Sequence, residues 1–166
     1  MEYLDVIDQH NKVVGKAAKN EIYEKKLPHR IVHVWLFNDR GELAVAMRAA
    51  GVSYKPLHWC STAAGHVSAG ESFLDAGYRE LMEECKIKTD LKLKDSVWYE
   101  GADAPGLKKI LGLCEGSYQT PIAIRNAEVD RVEFLSINKI QNLIKHGEPI
   151  HPEFLFLFNK HYPSIT

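Results

Sequence analysis

Cysteine is scarce in this chain of 166 residues: only Cys60, Cys85 and Cys114 occur, widely spaced and without a C-x-x-C pair. That excludes a disulfide framework and predicts a reducing compartment, with the three thiols buried as small hydrophobes. An excess of either charge is missing too. Lys plus Arg number 21 against 22 Asp plus Glu, a net charge of -1, so no global field draws in nucleic acid or an acidic membrane face. A phosphate-rich ligand must then be gripped by a local arrangement. Long apolar runs are absent, the longest being residues 31–37, which His33 interrupts and which falls far short of a bilayer. The first eight residues hold Glu2, Asp5 and Asp8 where a signal peptide needs basic residues and then an apolar stretch. A cytoplasmic protein with neither membrane nor nucleic-acid partner is expected.

What is present is ordinary for a globular fold: 45% hydrophobic and 26% charged residues, with no repeat, low-complexity tract or linker. The length predicts one domain over residues 1–166. Residues 4–7 and 13–17 read as two short strands, and 19–26 as a short helix stopped by Pro28. Residues 29–37 and 42–48, rich in Val, Ile, Trp and Phe, flank the Gly41 turn as a buried hairpin. Residues 59–64 suit a strand of small side chains. In residues 73–85 the apolar Leu74, Tyr78, Leu81 and Cys85 recur at helical spacing, and Ser72 followed by Asp75 marks the helix start. Residues 91–100, 108–119 and 131–136 read as strands, 137–145 and 152–162 as helices. In the last of these, residues 154–158 either close the core or form a homodimer face. Alternating strands and helices predict an α/β sandwich.

The chemistry concentrates in residues 65–87. At about 100° of rotation per residue, Glu84 lies roughly 40° to one side of Glu80 and Glu83 roughly 60° to the other, so three carboxylates share one stripe. Like charges at this spacing cost a helix about 0.2–0.5 kcal/mol per pair, and helix stability therefore offers no reason for them. A bound cation does, because carboxylate oxygens suit Mg²⁺ or Mn²⁺, which complete their shells with water and substrate phosphate. Such ions assist hydrolysis of a P–O–P bond by drawing charge off phosphorus and acidifying a bound water. Arg79 lies beside the cluster, and Glu71 can pair with it, pinning the preceding loop so that Gly65 presents its carbonyl to the metal. An E-x-x-E-E run by itself is ordinarily a solvated helix face. With Gly65, Glu71 and Arg79 at fixed offsets, a chance match falls to the order of one in a million at ~6% usage per position.

Gly65, Glu71, Arg79, Glu80, Leu81, Glu83, Glu84 and Ile87 resemble the Nudix box, written as G, five residues, E, seven residues, R-E-aliphatic-x-E-E-x-G-aliphatic. The resemblance implies an α/β/α sandwich with a mixed sheet, a divalent metal, and hydrolysis of a nucleoside diphosphate linked to another group. It implies that Glu80 and Glu84 are the main metal ligands, that Glu83 is a ligand or lies near the attacking water, and that Glu71 and Arg79 support them. Lys86 departs from the pattern: glycine there lets the chain leave the helix left-handed, so lysine is expected either to strain that exit or to give a slightly different one.

A longer stretch, about residues 27–87, is similar to type I isopentenyl-diphosphate isomerase, itself of Nudix fold. The similarity runs through Leu27-Pro28-His29-Arg30, Trp35-Leu36-Phe37-Asn38, Gly41-Glu42-Leu43, Arg48-Ala49, Pro56, Trp59 and Gly65-His66. His29 and His66 match two of that enzyme's metal histidines. Its cysteine acid, however, is replaced by Ala63 and Ala64, and its paired glutamates fall near Leu107-Lys108-Lys109, where no acid exists. The expected activity is therefore hydrolysis of a small-molecule diphosphate, with isomerisation and catalytically silent diphosphate binding as the alternatives. Arg48, Lys55 and His66 are candidates for substrate contact. A transition-metal site among His33, His58, Cys60 and His66 is weighed against ordinary packing, which is favoured; Trp35 is expected in the core.

Overall fold

The structure is a computed structural model that describes residues 1–164. Its elements run β1 (Tyr3–Ile7), β2 (Val13–Ala18), α1 (Lys19–Glu24), β3 (His29–Phe37), β4 (Leu43–Arg48), β5 (Trp59–Cys60), β6 (Ala63–His66) and α2 (Phe73–Cys85). They continue with β7 (Lys92–Glu100), β8 (Lys108–Ser117), β9 (Val129–Leu135), α3 (Ile137–Lys145) and α4 (Pro152–His161). Alternation along β3 and β8 explains the layering. Val32, Val34, Leu36, Ile110 and Cys114 point to one face, where they pack with Phe73, Ala76, Leu81 and Cys85 of α2. Ile31, Trp35, Leu111 and Leu113 point to the other and pack with Ile140 of α3 and Phe154, Leu157 and Phe158 of α4. The result is the expected α/β/α sandwich. Trp35 is fully buried, as are Phe154, Leu157 and Phe158, each contributing roughly 1.5–3 kcal/mol of apolar burial. Helical spacing thus sends residues 154–158 into the core, leaving Phe156 37% exposed. All three cysteines are free and buried.

The seven-stranded sheet is mixed: β3 runs parallel to β8 from His29–Lys109 through Phe37–Ser117, and its other pairings are antiparallel. One local feature opens the site. β3 and β4 pair only at Phe37–Leu43 and then diverge, β6 taking the edge of β3 and β5 with β9 taking the edges of β4. The single strand expected over residues 59–64 is accordingly two strands broken at Ser61-Thr62. The Thr62 hydroxyl, donating to the Ala44 carbonyl at 2.6 Å and accepting from the Leu36 amide at 3.1 Å, fills the gap where the β3–β4 ladder lapses. The chain therefore crosses from one strand family to the other at that residue.

Helix α2 starts as expected, with the Asp75 amide donating to Ser72 Oγ at 3.0 Å. Its buried stripe is displaced from the expected one: Phe73, Ala76, Gly77, Leu81 and Cys85 are buried, while Tyr78 is 38% exposed. Gly77 lies against Cys114 of β8. This lets the helix approach the sheet closely and turns Tyr78 aside, where its hydroxyl accepts from the Leu91 amide at 3.0 Å. Lys86 then adopts φ 58° and ψ 32°, the left-handed exit normally left to glycine.

The hairpin β1–β2 stands apart as its own two-stranded sheet. Ala69 N donates to Tyr3 O at 2.8 Å and Gly70 N to Asp5 Oδ2 at 3.0 Å, docking the hairpin on the loop between β6 and α2. Leu4, Ala17 and Ile22 form a small core beneath it.

Candidate active site

Glu80 and Glu84, one helical turn apart on α2, turn toward β6 rather than to solvent. Glu84 accepts from the Ala64 amide at 2.9 Å, and burial pushes its carboxyl up to about 8 despite that hydrogen bond. Burial likewise pushes Glu80 up to about 6, with the Arg79 guanidinium opposing. Gly65 faces Glu80 so closely that a methyl group there would collide with the carboxylate. A larger residue here would have to displace the Glu80 carboxylate from the place where Arg79 holds it. Glu83 takes the outer side, its side chain 59% exposed.

Arg79 ties these groups together. Its Nε and Nη2 form a fork on Glu71, each at 2.8 Å. Nη2 also donates to the His66 carbonyl at 2.9 Å, and Nη1 reaches Glu80 at 2.9 Å and Glu83 at 3.4 Å. Glu71 accepts from the Ser68 amide at 2.8 Å, and the Arg79 hydrogen bonds hold its carboxyl below the usual range. The loop from β6 to α2 is thereby fixed to the helix that carries the carboxylates.

Arg79 and the α2 carboxylates line a cleft of about 850 Å³ together with Ala64, Gly65, His66 and Ser68 and with Glu2, Lys19, Asn126, Ala127 and Glu128. Another hollow, about 540 Å³ along α3, shares no residue with it. His66, expected at the ligand, lies in the cleft. Its Nε2 meets the Tyr23 hydroxyl at 2.5 Å and its ring stacks on His29 at 5.8 Å. Burial, with the charge of Lys19 next, pushes His66 down to about 3 and keeps it neutral. Arg48 and Lys55, the other two expected contacts, do not line the cleft. Arg48 donates to the Tyr54 and Lys55 carbonyls, and the Lys55 ammonium lies over the Tyr54 ring.

Behind His66 lies a polar assembly that sequence reasoning missed. The carboxylate of Glu153, on α4, accepts from Lys109 Nζ at 2.7 Å and from His33 Nε2 at 3.0 Å. His33 Nδ1 meets Ser61 Oγ at 2.7 Å, which accepts from Trp35 Nε1 at 2.9 Å. Burial alone would raise Glu153, yet the His33 hydrogen bond and the Lys109 charge hold it far below the usual carboxylate range. His33 within an apolar strand and Glu153 within an apolar helix were the available signals. With His33 so engaged and His58 Nδ1 against the Pro56 carbonyl at 2.8 Å, ordinary bonding accounts for the histidines once weighed as a transition-metal site. His29 donates from Nδ1 to the Leu27 carbonyl at 2.9 Å, leaving Nε2 buried without a partner among the described residues.

Glu80 and Glu84 offer half-buried, hard oxygen donors whose shared charge is unfavourable until a cation offsets it, which fits Mg²⁺ or Mn²⁺. Among the described residues no three His, Cys, Asp or Glu side chains form a ready metal cage; the Arg79 guanidinium bridges Glu71, Glu80 and Glu83 instead. No described helix is long and apolar enough to cross a membrane.

Residues 27–158 match the model of the NUDIX domain, and the chain belongs to the Nudix family. It is 32% identical over 98 residues to isopentenyl-diphosphate delta-isomerase 2 of Photorhabdus laumondii, covering 59% of this chain and 55% of that protein. It is 28% identical over 138 residues to an uncharacterized Nudix hydrolase of Pseudomonas aeruginosa, covering 81% and 78% respectively. The chain thus spans about half the length of the first curated relatives it matches and more of others. Its fold superposes on the crystal structure of a Deinococcus radiodurans protein with a TM-score of 0.81, covering 97% of this chain and 99% of that one at 20% identity.

Proposed function

We propose that the chain is a Mg²⁺- or Mn²⁺-dependent hydrolase that cleaves a P–O–P bond in a nucleoside diphosphate linked to another group, or in a similar small-molecule diphosphate. The observation that carries this is the pair Glu80 and Glu84, half-buried side by side on the cleft wall, with their carboxyls raised to about 6 and 8. The cleft lining holds five glutamates, Glu2, Glu80, Glu83, Glu84 and Glu128, against Arg79 and Lys19 as side-chain cations. An anionic diphosphate is repelled from such a wall until divalent charge is added.

Glu80 and Glu84 would hold the ion, with the Gly65 carbonyl as a further oxygen. When bound, the ion supplies neutralisation of the phosphate charge and a water acidified toward hydroxide. Arg79, held by Glu71, fixes the orientation of Glu80. Glu83, the exposed carboxylate and the one held most loosely by Arg79, at 3.4 Å, would accept the proton of the attacking water. The water oxygen bonds to phosphorus as the bridging P–O bond breaks, and the leaving phosphate carries away the bridging oxygen. His66 would lie beside the ligand, while Arg48, at the end of β4, is engaged with the Tyr54 and Lys55 carbonyls and would reach it only by releasing the loop that carries Lys55.

One observation favours isomerisation, the stacked pair His29 and His66. Against it, Ala63 and Ala64 occupy the place of the acid, and Lys109, in register with His29, brings an ammonium where that chemistry needs carboxylates. Purified protein is assayed with ADP-ribose, ADP and isopentenyl diphosphate, in magnesium and in EDTA. Metal-dependent cleavage that falls about 10²-fold or more in both Glu80→Gln and Glu84→Gln is expected. Isomerisation, or binding of a nucleotide with no product release, would each refute the hydrolase reading.

A further inference from the structure

The cleft has one wall that the family match does not include. Glu2 and Lys19 line it, yet both precede the matched segment 27–158, and both are delivered by the N-terminal hairpin and α1. Their placement is held at several points. Lys19 N donates to the Glu2 carbonyl at 2.9 Å, and the Arg30 guanidinium lies 3.6 Å from the Asp5 carboxylate that also accepts from Gly70. One turn after Lys19 on the same face of α1, the Tyr23 hydroxyl meets His66 Nε2 at 2.5 Å. Helix α1 thus presents an ammonium and a hydroxyl to the strand end that opens the site.

The two side-chain cations of the lining differ in what they have left to offer. Arg79 has Nε, Nη1 and Nη2 all committed to Glu71, Glu80, Glu83 and the His66 carbonyl. It cannot grip an anion without releasing the carboxylates it orders. Among the described residues Lys19 has one acidic partner within 4 Å, Glu2 at 3.8 Å, beyond hydrogen-bond range, and its side chain is 44% exposed. Its side chain is part of the cleft lining, and its positive charge is felt at His66 on the same wall.

We infer that Lys19 recognises a phosphoryl group of the substrate, which makes the N-terminal hairpin and α1 a specificity wall of the cleft, with Tyr23 positioning His66 beside it. The inference rests on the hydrolase reading and adds to it a residue outside the box. An ammonium binds phosphate as a point charge, so its loss weakens binding of the anionic substrate and leaves the chemical step, governed by the α2 carboxylates, largely intact.

The test measures KM and kcat for ADP-ribose in magnesium with wild type, Lys19→Gln, Lys19→Glu and Lys19→Arg, at low and at high salt. Lys19→Gln is expected to raise KM about tenfold, equivalent to 1.4 kcal/mol, with kcat within about twofold. Lys19→Glu raises it further, Lys19→Arg restores it to within about threefold, and the rise of KM with salt flattens in Lys19→Gln. A structural role for the wall would instead lower the melting temperature and leave the KM of the folded variant and its salt dependence unchanged. Equal KM in wild type and Lys19→Gln overturns this inference alone. Absence of cleavage by the wild type overturns the hydrolase reading and this inference with it.

Discussion

In metal-free protein, replacing Glu84 by glutamine is expected to stabilise the fold above neutral pH. Glu84 has its folded carboxyl raised from 4.5 to about 8, chiefly by burial. A raised folded value means that the native state holds its proton more tightly than the unfolded chain. Stability from this group is therefore fully present below about 4.5, declines as pH rises, and is exhausted above about 8. At 1.36 kcal/mol per unit the loss is at most about 4–5 kcal/mol, reduced by whatever water enters the cleft. Glutamine carries no charge and keeps an oxygen to accept from the Ala64 amide, so the variant lacks this slope. Other groups titrate in the same range, including Glu80, and the difference between the two proteins isolates Glu84. Melting temperatures in EDTA are compared from pH 5 to 9. Taking 2–4 °C per kcal/mol for a chain of this size, the variant should lead by about 10 °C at pH 8.5 and by little at pH 5. Magnesium should narrow the gap by stabilising wild type alone. Parallel melting curves across the range would refute the argument that an uncompensated carboxylate is buried there.

Two further predictions follow from particular residues. Lys86→Gly, which removes a side chain from a left-handed backbone with φ 58°, should raise stability by about 1 kcal/mol in chemical denaturation with hydrolysis unchanged; a loss of stability would mean that the strain is not there. Lys109→Ala should cost up to about 3–5 kcal/mol at neutral pH by leaving the buried Glu153 without its ammonium and with the His33 hydrogen bond in its place, whereas Lys109→Met with Glu153→Gln should recover most of it. Equal losses in the single and double variants would show that the ion pair is not the source.

Much of the fold could be read before the structure because local patterning and tertiary packing agree. The spans of β3 and β4 with the turn between them, the Ser72 cap and the span of α2 follow from alternation, turn chemistry and capping, whereas the ladder expected between those two strands forms only at Phe37–Leu43. The expectation for residues 59–64 failed at Thr62, whose hydroxyl serves two strands at once, and such a bond leaves no periodic trace. Helical spacing with Leu74, Leu81 and Cys85 assigns Tyr78 to the buried stripe, yet it is 38% exposed. Gly77 took that place because close approach to Cys114 favours the smaller residue.

The acidic stripe of α2, with Gly65, Glu71 and Arg79 at their offsets, was fixed by the sequence alone, since one rigid helix and one short loop carry every member. Chain order could not bring Lys19 to the rim, set Tyr23 against His66, or join Lys109 of β8 to Glu153 of α4. Those meetings depend on parallel strand pairing and on helices docked from opposite faces of the sheet. Contacts of that kind are enforced by burial across the fold, and burial is a property of the packed molecule.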